Sequence, residues 1–201
     1  MSDTSDTRER IIDAAQTLIY GSSYTDVGVA AICEHAGVQK GSFYHFFPSK
    51  RDLTLAVLDA YFLNAKQQVI DHAFTQDRPP LERLDALVAL TVEMQQQLQA
   101  QTGHVLGCPF GNLASELSTQ DEPIRAAIVQ IMRRFQVLLT DTLQQALDRG
   151  DLSDIDPGAT AQAMLAYLEG VLLLAKNEND TEVIRRLLPA LRQIRVPARP
   201  Q

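Results

Sequence analysis

Between Ala36 and Arg51 the chain runs Ala-Gly-Val-Gln-Lys-Gly-Ser-Phe-Tyr-His-Phe-Phe-Pro-Ser-Lys-Arg, and no other stretch restricts the fold as much. Gly37 follows the apolar-periodic positions Val29, Ile32, Cys33 and Ala36. A glycine just past such a run is the usual left-handed helix stop, because it takes up positive φ without a steric cost. The next apolar positions after Val38 are Phe43, Phe46 and Phe47. Their three-to-four spacing gathers the rings on one helical face and turns Gln39, Lys40, Ser42, Tyr44 and His45 to the others. Pro48 ends the short helix, and Ser49-Lys50-Arg51-Asp52 has the capping-box spacing that opens another. The predicted order is helix, glycine turn, short helix, stop, long helix.

Such a layout is what a helix-turn-helix requires: the first helix crosses the phosphate backbone and the second sets its N-terminal residues against base edges. The outward residues of the short helix are all hydrogen-bond donors, and no acidic side chain occurs from Gly37 to Arg51. Gly41, lacking a side chain, permits close approach to a groove. Lys50, at the start of the following helix, combines a cation with free backbone amides, which favours a phosphate. Taken singly, each residue has a plainer account: the phenylalanines are core, and an exposed lysine is usually only solvated. Their joint placement around a glycine turn carries the inference.

Residues 7–60 resemble the N-terminal domain of the TetR family of bacterial transcriptional regulators. The likeness runs from Arg8-Glu9-Arg10-Ile11-Ile12-Asp13-Ala14-Ala15 through Ala36-Gly37-Val38 and Lys40-Gly41-Ser42-Phe43-Tyr44-His45-Phe46-Phe47 to Ser49-Lys50 and Leu53. It implies an all-α chain: a three-helix helix-turn-helix domain at 1–52, then a long fourth helix leading into a larger effector-binding and dimerisation domain at 53–201. In the family the position matching Ser42 faces bases, while those matching Lys40, Tyr44, His45 and Lys50 touch backbone or groove edge. The implied DNA-binding set is Gln39, Lys40, Gly41, Ser42, Tyr44, His45 and Lys50. Two departures stand out. Val27 and Gly28 occupy positions where the family usually carries a capping hydroxyl, and Gln39 stands where serine or threonine is common.

The whole chain sets further bounds. With 201 residues and 45% hydrophobic content, it can bury a substantial core. Its net charge is −7, and residues 1–56 hold five Lys/Arg against seven Asp/Glu, so DNA binding has to be local rather than a matter of bulk charge. Cys33 and Cys108 form neither a CxxC pair nor a disulfide framework, which fits a reducing cytoplasm. The polar, acidic start Met1–Asp6 does not read as a signal peptide, and apolar runs such as Gly170–Ala175 are short for a bilayer, so no membrane role is expected.

Every segment with a readable period is helical. Asp6 and Glu9 have capping-box spacing ahead of Ile11, Ala14, Ala15, Leu18 and Ile19, and the fourth helix is predicted to run unbroken from Ser49 to about Phe74. Further helices are predicted at 81–101, 112–117, 123 to Gly150, 159–176 and 181–194, the last kinked at Pro189. The segment 159–176 is apolar around most of its circumference, which demands burial on two sides and implies a second copy. In the resembling family the last two long helices of each subunit form a four-helix dimer interface. The expected interface residues are Ala163, Tyr167, Gly170, Leu172, Leu187 and Leu191, and a two-fold dimer would bind a palindrome.

The resemblance also places an effector pocket within residues 80–175. The segment Gly107-Cys108-Pro109-Phe110-Gly111-Asn112 combines backbone freedom with a thiol, a ring and an amide, and Glu116 follows. Candidate pocket residues are Met94, Cys108, Phe110, Asn112, Glu116, Phe135 and Tyr167, although core packing and helix capping account for each equally well. Cys108 could serve as an oxidant or electrophile sensor, but no Lys or Arg lies within ten residues of it and a free cysteine is more often a small buried hydrophobe. His104 and Cys108 make a thin metal pair, and an enzyme built on the same two residues lacks a third orienting group. A helical interaction module that has lost DNA binding is a further rival. The expected molecule is a cytoplasmic, ligand-responsive regulator, acting as a repressor, with no cofactor, metal or enzymatic activity; its partners are double-stranded operator DNA, a small-molecule effector and a second copy of itself.

Overall fold

The computed structural model describes residues 4–198, in the order α1 (Thr4–Gly21), α2 (Val29–Ala36), α3 (Lys40–Phe46), α4 (Lys50–Ala65), a π turn (Lys66–Ile70), α5 (Asp71–Ala73), α6 (Pro80–Thr102), α7 (Pro109–Leu117), α8 (Glu122–Asp148), α9 (Pro157–Glu178), α10 (Glu182–Leu187) and a 3₁₀ segment (Leu188–Gln193). Among the described residues the only β pairing is an isolated antiparallel bridge between Ile155 and Pro197. The all-α class follows from the 3.6-residue period of nearly every segment.

Local chemistry explains most of the boundaries. Gly37 ends α2 in the left-handed region at φ 63°, with its N–H on Glu34 O at 3.1 Å and the Val38 N–H on Cys33 O at 2.9 Å. The Ser49 hydroxyl accepts from the Asp52 N–H at 3.2 Å and donates to the Asp52 carboxylate at 2.6 Å, as the capping spacing predicts. Asp156 accepts from Ala159 N–H at 2.9 Å with Pro157 at the first helical position. At the other end of α9, Asn179 is left-handed at φ 51°. Its side chain accepts from Val105 N–H at 2.8 Å and donates to Gly103 O at 3.2 Å, while its carbonyl accepts from Gln99 Nε2 at 2.8 Å.

Three expected boundaries differ. Helix α1 begins before Asp6, so Asp6 does not cap it and instead faces Arg10 one turn on, at 3.9 Å. The helix expected to run unbroken to Phe74 passes through the π turn at Lys66–Ile70. Lys66 and Asp71, five residues apart, pair across that turn at 2.7 Å, which is the spacing a π turn aligns. Pro189, unable to continue an α-helical ladder, converts the end of the last helix into 3₁₀.

The chain divides into two compact units. The first comprises Met1–Asn64 and Pro109–Val129, and the second Ala65–Cys108 and Gln130–Gln201. These units differ from the expected domains 1–52 and 53–201 in that α4 through Asn64, α7 and the start of α8 group with α1–α3. In the first unit Ile11, Ile32, Phe43, Leu53, Val57 and Leu58 are fully buried. Phe47 is buried with them, whereas Phe46, also expected in the core, is only half-buried. The second unit packs Leu84, Leu139, Leu143, Met164, Val171, Ile184 and Leu188 into one cluster.

Helix α9 is long and apolar enough, by length and composition alone, to cross a bilayer, which corrects the expectation drawn from its short uninterrupted apolar runs. Here it is a core helix of the second unit, with Ala161, Met164, Val171, Leu172 and Ala175 buried.

Candidate nucleic-acid interface

Helix α3 owes its position to a clamp on the turn before it. The Arg10 guanidinium, from α1, donates to the carbonyls of Ala36 and Gly37, the latter at 3.0 Å. A Cβ on Gly37 would come 3.0 Å from that guanidinium, and the left-handed conformation itself favours glycine there. Arg8 stacks over the Phe47 ring at 5.4 Å, and Phe43 lies fully buried beneath the helix. One face of α3 is thereby fixed, and the opposite face is outward.

That outward face carries the predicted set. Gln39, Lys40, Gly41, Tyr44 and His45 are exposed, Tyr44 to 55%, and Ser42 is half-buried. Tyr44 is propped edge-on against Phe43 at 5.1 Å, and His45 against Phe46 at 4.9 Å. Both polar tips are held by ring packing rather than left to swing. Gln39 begins α3 with no side-chain capping bond, and Gly28 does the same for α2. The Gln39 amide is thus not consumed by its own helix.

Lys50 is placed differently from its expected role. Its ammonium donates to the Tyr24 carbonyl and lies 3.9 Å from the centroid of the Tyr24 ring. Burial holds its pKa below the ordinary lysine range, with Glu116 and Asp26 acting in the opposite sense. The sequence pattern put a cation at a helix start correctly, but the contact that turns it inward involves a residue 26 positions away.

The same loop is held from a second side. Glu116, on α7, accepts from the Tyr24 N–H at 2.9 Å and the Thr25 N–H at 2.7 Å. Burial alone would raise its pKa, but donation from Thr25 and Tyr24 and the nearby Lys50 outweigh it and keep the carboxyl below the usual glutamate range. Next to it, Asp121 pairs with Arg51 at 2.6 Å and also accepts from Ile124 N–H at 3.2 Å, capping α8.

The seven candidate effector residues do not form one set within either unit. Phe110, Asn112 and Glu116 belong to the first. There Phe110 is buried edge-on against Tyr61 at 6.3 Å, and Asn112 and Glu116 line a cleft of about 20 Å³, room for a water molecule and not for an effector. Glu116 is a backbone cap, which answers for its position. Met94, Cys108, Phe135 and Tyr167 belong to the second unit, where the Tyr167 hydroxyl donates to Leu187 O at 2.7 Å. Sequence reasoning passed over Arg10, Tyr24, Gln95 and Glu169; the periodicity of α6 could have singled out Gln95, an amide in line with Val88 and Thr91.

The residues expected at the dimer face are unevenly exposed in the single chain. Leu172 and Leu191 are 5% and 1% exposed, committed to the second unit's own core. The outward stripe of α9 is Ala166, Gly170, Leu173 and Leu174, with Leu173 57% and Leu174 47% exposed. Among the described residues no group of three or more potential metal-ligating side chains gathers, around His104 and Cys108 or elsewhere.

Comparison with known proteins decides the family. Residues 11–57 match the model for bacterial regulatory proteins of the TetR family, and residues 80–191 match the tetracycline repressor-like C-terminal domain. The chain belongs to the TetR family of transcriptional regulators. Among curated relatives of this TetR-family protein, the transcriptional regulator AcuR of Cereibacter sphaeroides is 34% identical over 88% of this chain and 79% of its own length. The transcriptional repressor NemR of Escherichia coli is 26% identical over 94% of each. A crystal structure of a TetR regulatory protein from Rhodobacter sphaeroides superposes with a TM-score of 0.81 at 30% identity, covering 94% of this chain and 98% of that one.

Proposed function

We propose that this TetR-family regulator is a repressor that binds a palindromic operator as a dimer through α3 and releases it when a small molecule enters the second unit. The observation that carries this reading is the outward face of α3: Gln39, Lys40, Gly41, Ser42, Tyr44 and His45 present donors without one carboxylate, on a helix held by the Arg10 clamp. Ser42 is the base reader, Lys40 the phosphate contact, and Gln39, Tyr44 and His45 the groove edge. Lys50 acts from behind, by holding the loop that carries α2.

One short helix reads DNA weakly, and two in register read a palindrome. The second copy docks on α8 and α9, where Leu173, Leu174 and Val137 are large, apolar and exposed. An effector lowers operator affinity by binding the DNA-incompetent arrangement more tightly. The test is fluorescence anisotropy of the full-length protein on DNA from its own promoter region. Saturable, salt-sensitive binding that survives competitor DNA is expected, and binding no tighter than to random DNA would overturn the reading.

A further inference from the structure

The second unit buries a polar group that packing alone does not explain. Gln95 lies on α6 in register with Val88 and Thr91, facing the core, and is 0% exposed. Its amide nitrogen donates to Gly107 O at 3.0 Å, but its Oε1 has no hydrogen-bond partner. Fully buried side-chain acceptors are nearly always satisfied, so the unpartnered Oε1 is an acceptor in this core still open to a donor.

What surrounds that amide narrows the ligand. Gly107 is left-handed at φ 75° and pressed against α9: a Cβ there would sit 3.3 Å from Lys176 Cδ and 3.6 Å from Leu172 O. The next residue, Cys108, hydrogen-bonds through its thiol to the Glu169 carboxyl on α9. Glu169 is half-buried, and burial raises its pKa against the smaller opposing effect of the thiol, which favours the protonated form more than at an exposed glutamate. Lys176 meets Gly107 with its aliphatic stem. Two consecutive residues of one loop thus link an amide acceptor on α6 to a carboxyl on α9.

We propose that Gln95, Cys108 and Glu169 form the polar end of a site for an uncharged small molecule that carries both a hydrogen-bond donor and an acceptor, such as a primary amide. In the proposed complex the ligand's N–H satisfies Gln95 Oε1, and its carbonyl accepts from Glu169 held protonated by the bound ligand. A carboxylate of the same shape brings no donor to Gln95 and meets the carboxyl oxygens of Glu169. The site rests on the reading of the second unit as the effector-binding part of the regulator.

Ligand-observed saturation-transfer NMR on the full-length protein, with butyramide and butyrate as matched probes, tests the site at neutral pH. Butyramide binding is expected, with butyrate silent. Gln95→Leu and Gln95→Met should each lower butyramide affinity roughly tenfold, the worth of one buried hydrogen bond, and Glu169→Gln, which stays neutral, should retain it. Two apolar variants are used so that one misfolding, judged by circular dichroism, does not end the test. Absence of butyramide binding, equal or stronger binding of butyrate, or unchanged affinity in the Gln95 variant that folds would each overturn the site. Anisotropy on promoter DNA, run alongside, separates the two claims: a protein that binds DNA but fails these tests loses this site and keeps its role as a regulator.

Discussion

The Lys50 ammonium sits against both the carbonyl and the ring of Tyr24, while the N–H of the same residue is held by Glu116. One residue ahead of α2 is therefore gripped at its donor and its acceptor by side chains from two other helices. Lys50→Ala should loosen that loop, lowering unfolding stability by about 1 kcal/mol and weakening DNA binding with little change in the slope of log affinity against log salt. Urea denaturation and salt-titrated anisotropy measure the two effects. A slope reduced by about one unit per half-site would restore Lys50 as a direct phosphate contact.

Lys40 and Ser42 should separate cleanly. Lys40→Ala should flatten the salt dependence by about one unit per half-site while preserving the preferred sequence. Ser42→Ala should leave the slope alone and relax the preference at one base position, as read by selection from a randomised operator library.

The Glu116 carboxyl titrates below the ordinary range when folded, so its contribution to stability is present above the unfolded-state value of about 4.3 and disappears as pH falls through the lower folded value. Wild type should be more stable than Glu116→Gln at neutral pH, and the gap should close under acid conditions. Parallel denaturation curves with a constant gap down to strongly acid pH would show that the charge is not what matters.

Glu169 should behave in the opposite sense. Its folded pKa is raised by burial, so the stability it contributes is fully present below the unfolded value and lost as pH rises through the raised one. Glu169→Gln should gain on wild type toward alkaline pH, measured as a widening difference in Tm.

Leu173→Asp should dissociate the proposed dimer and leave each copy folded, whereas Leu172→Asp should unfold the second unit, since a charge there is buried without a partner. Sedimentation velocity and circular dichroism distinguish the two. A Leu173→Asp protein that remains dimeric would move the interface off this stripe.

What could be read in advance follows the range of the interactions. Gly37, Asp156 and Pro157 act on backbone a few residues away, and their spacing alone placed the ends of α2 and α9. The outward face of α3 was legible because its rings repeat with the helical period. Glu116 was not, since its partners Tyr24 and Thr25 lie over ninety positions earlier and a carboxylate on a short helix looks solvated until the chain folds back. Leu172 and Leu173 are chemically alike, and only the rotation of α9 in its core decides which one faces out. The π turn arose in a stretch whose composition is ordinary for an α-helix.

Asn179 binds Val105 and Gly103 through its side chain and Gln99 through its carbonyl. Helix ends ordinarily fray first and exchange their amide protons fastest. Here the last turns of α6 and α9 and the loop leading to Cys108 share a single residue, so none can open without releasing the others. Their amide protons should exchange together, as one cooperative event.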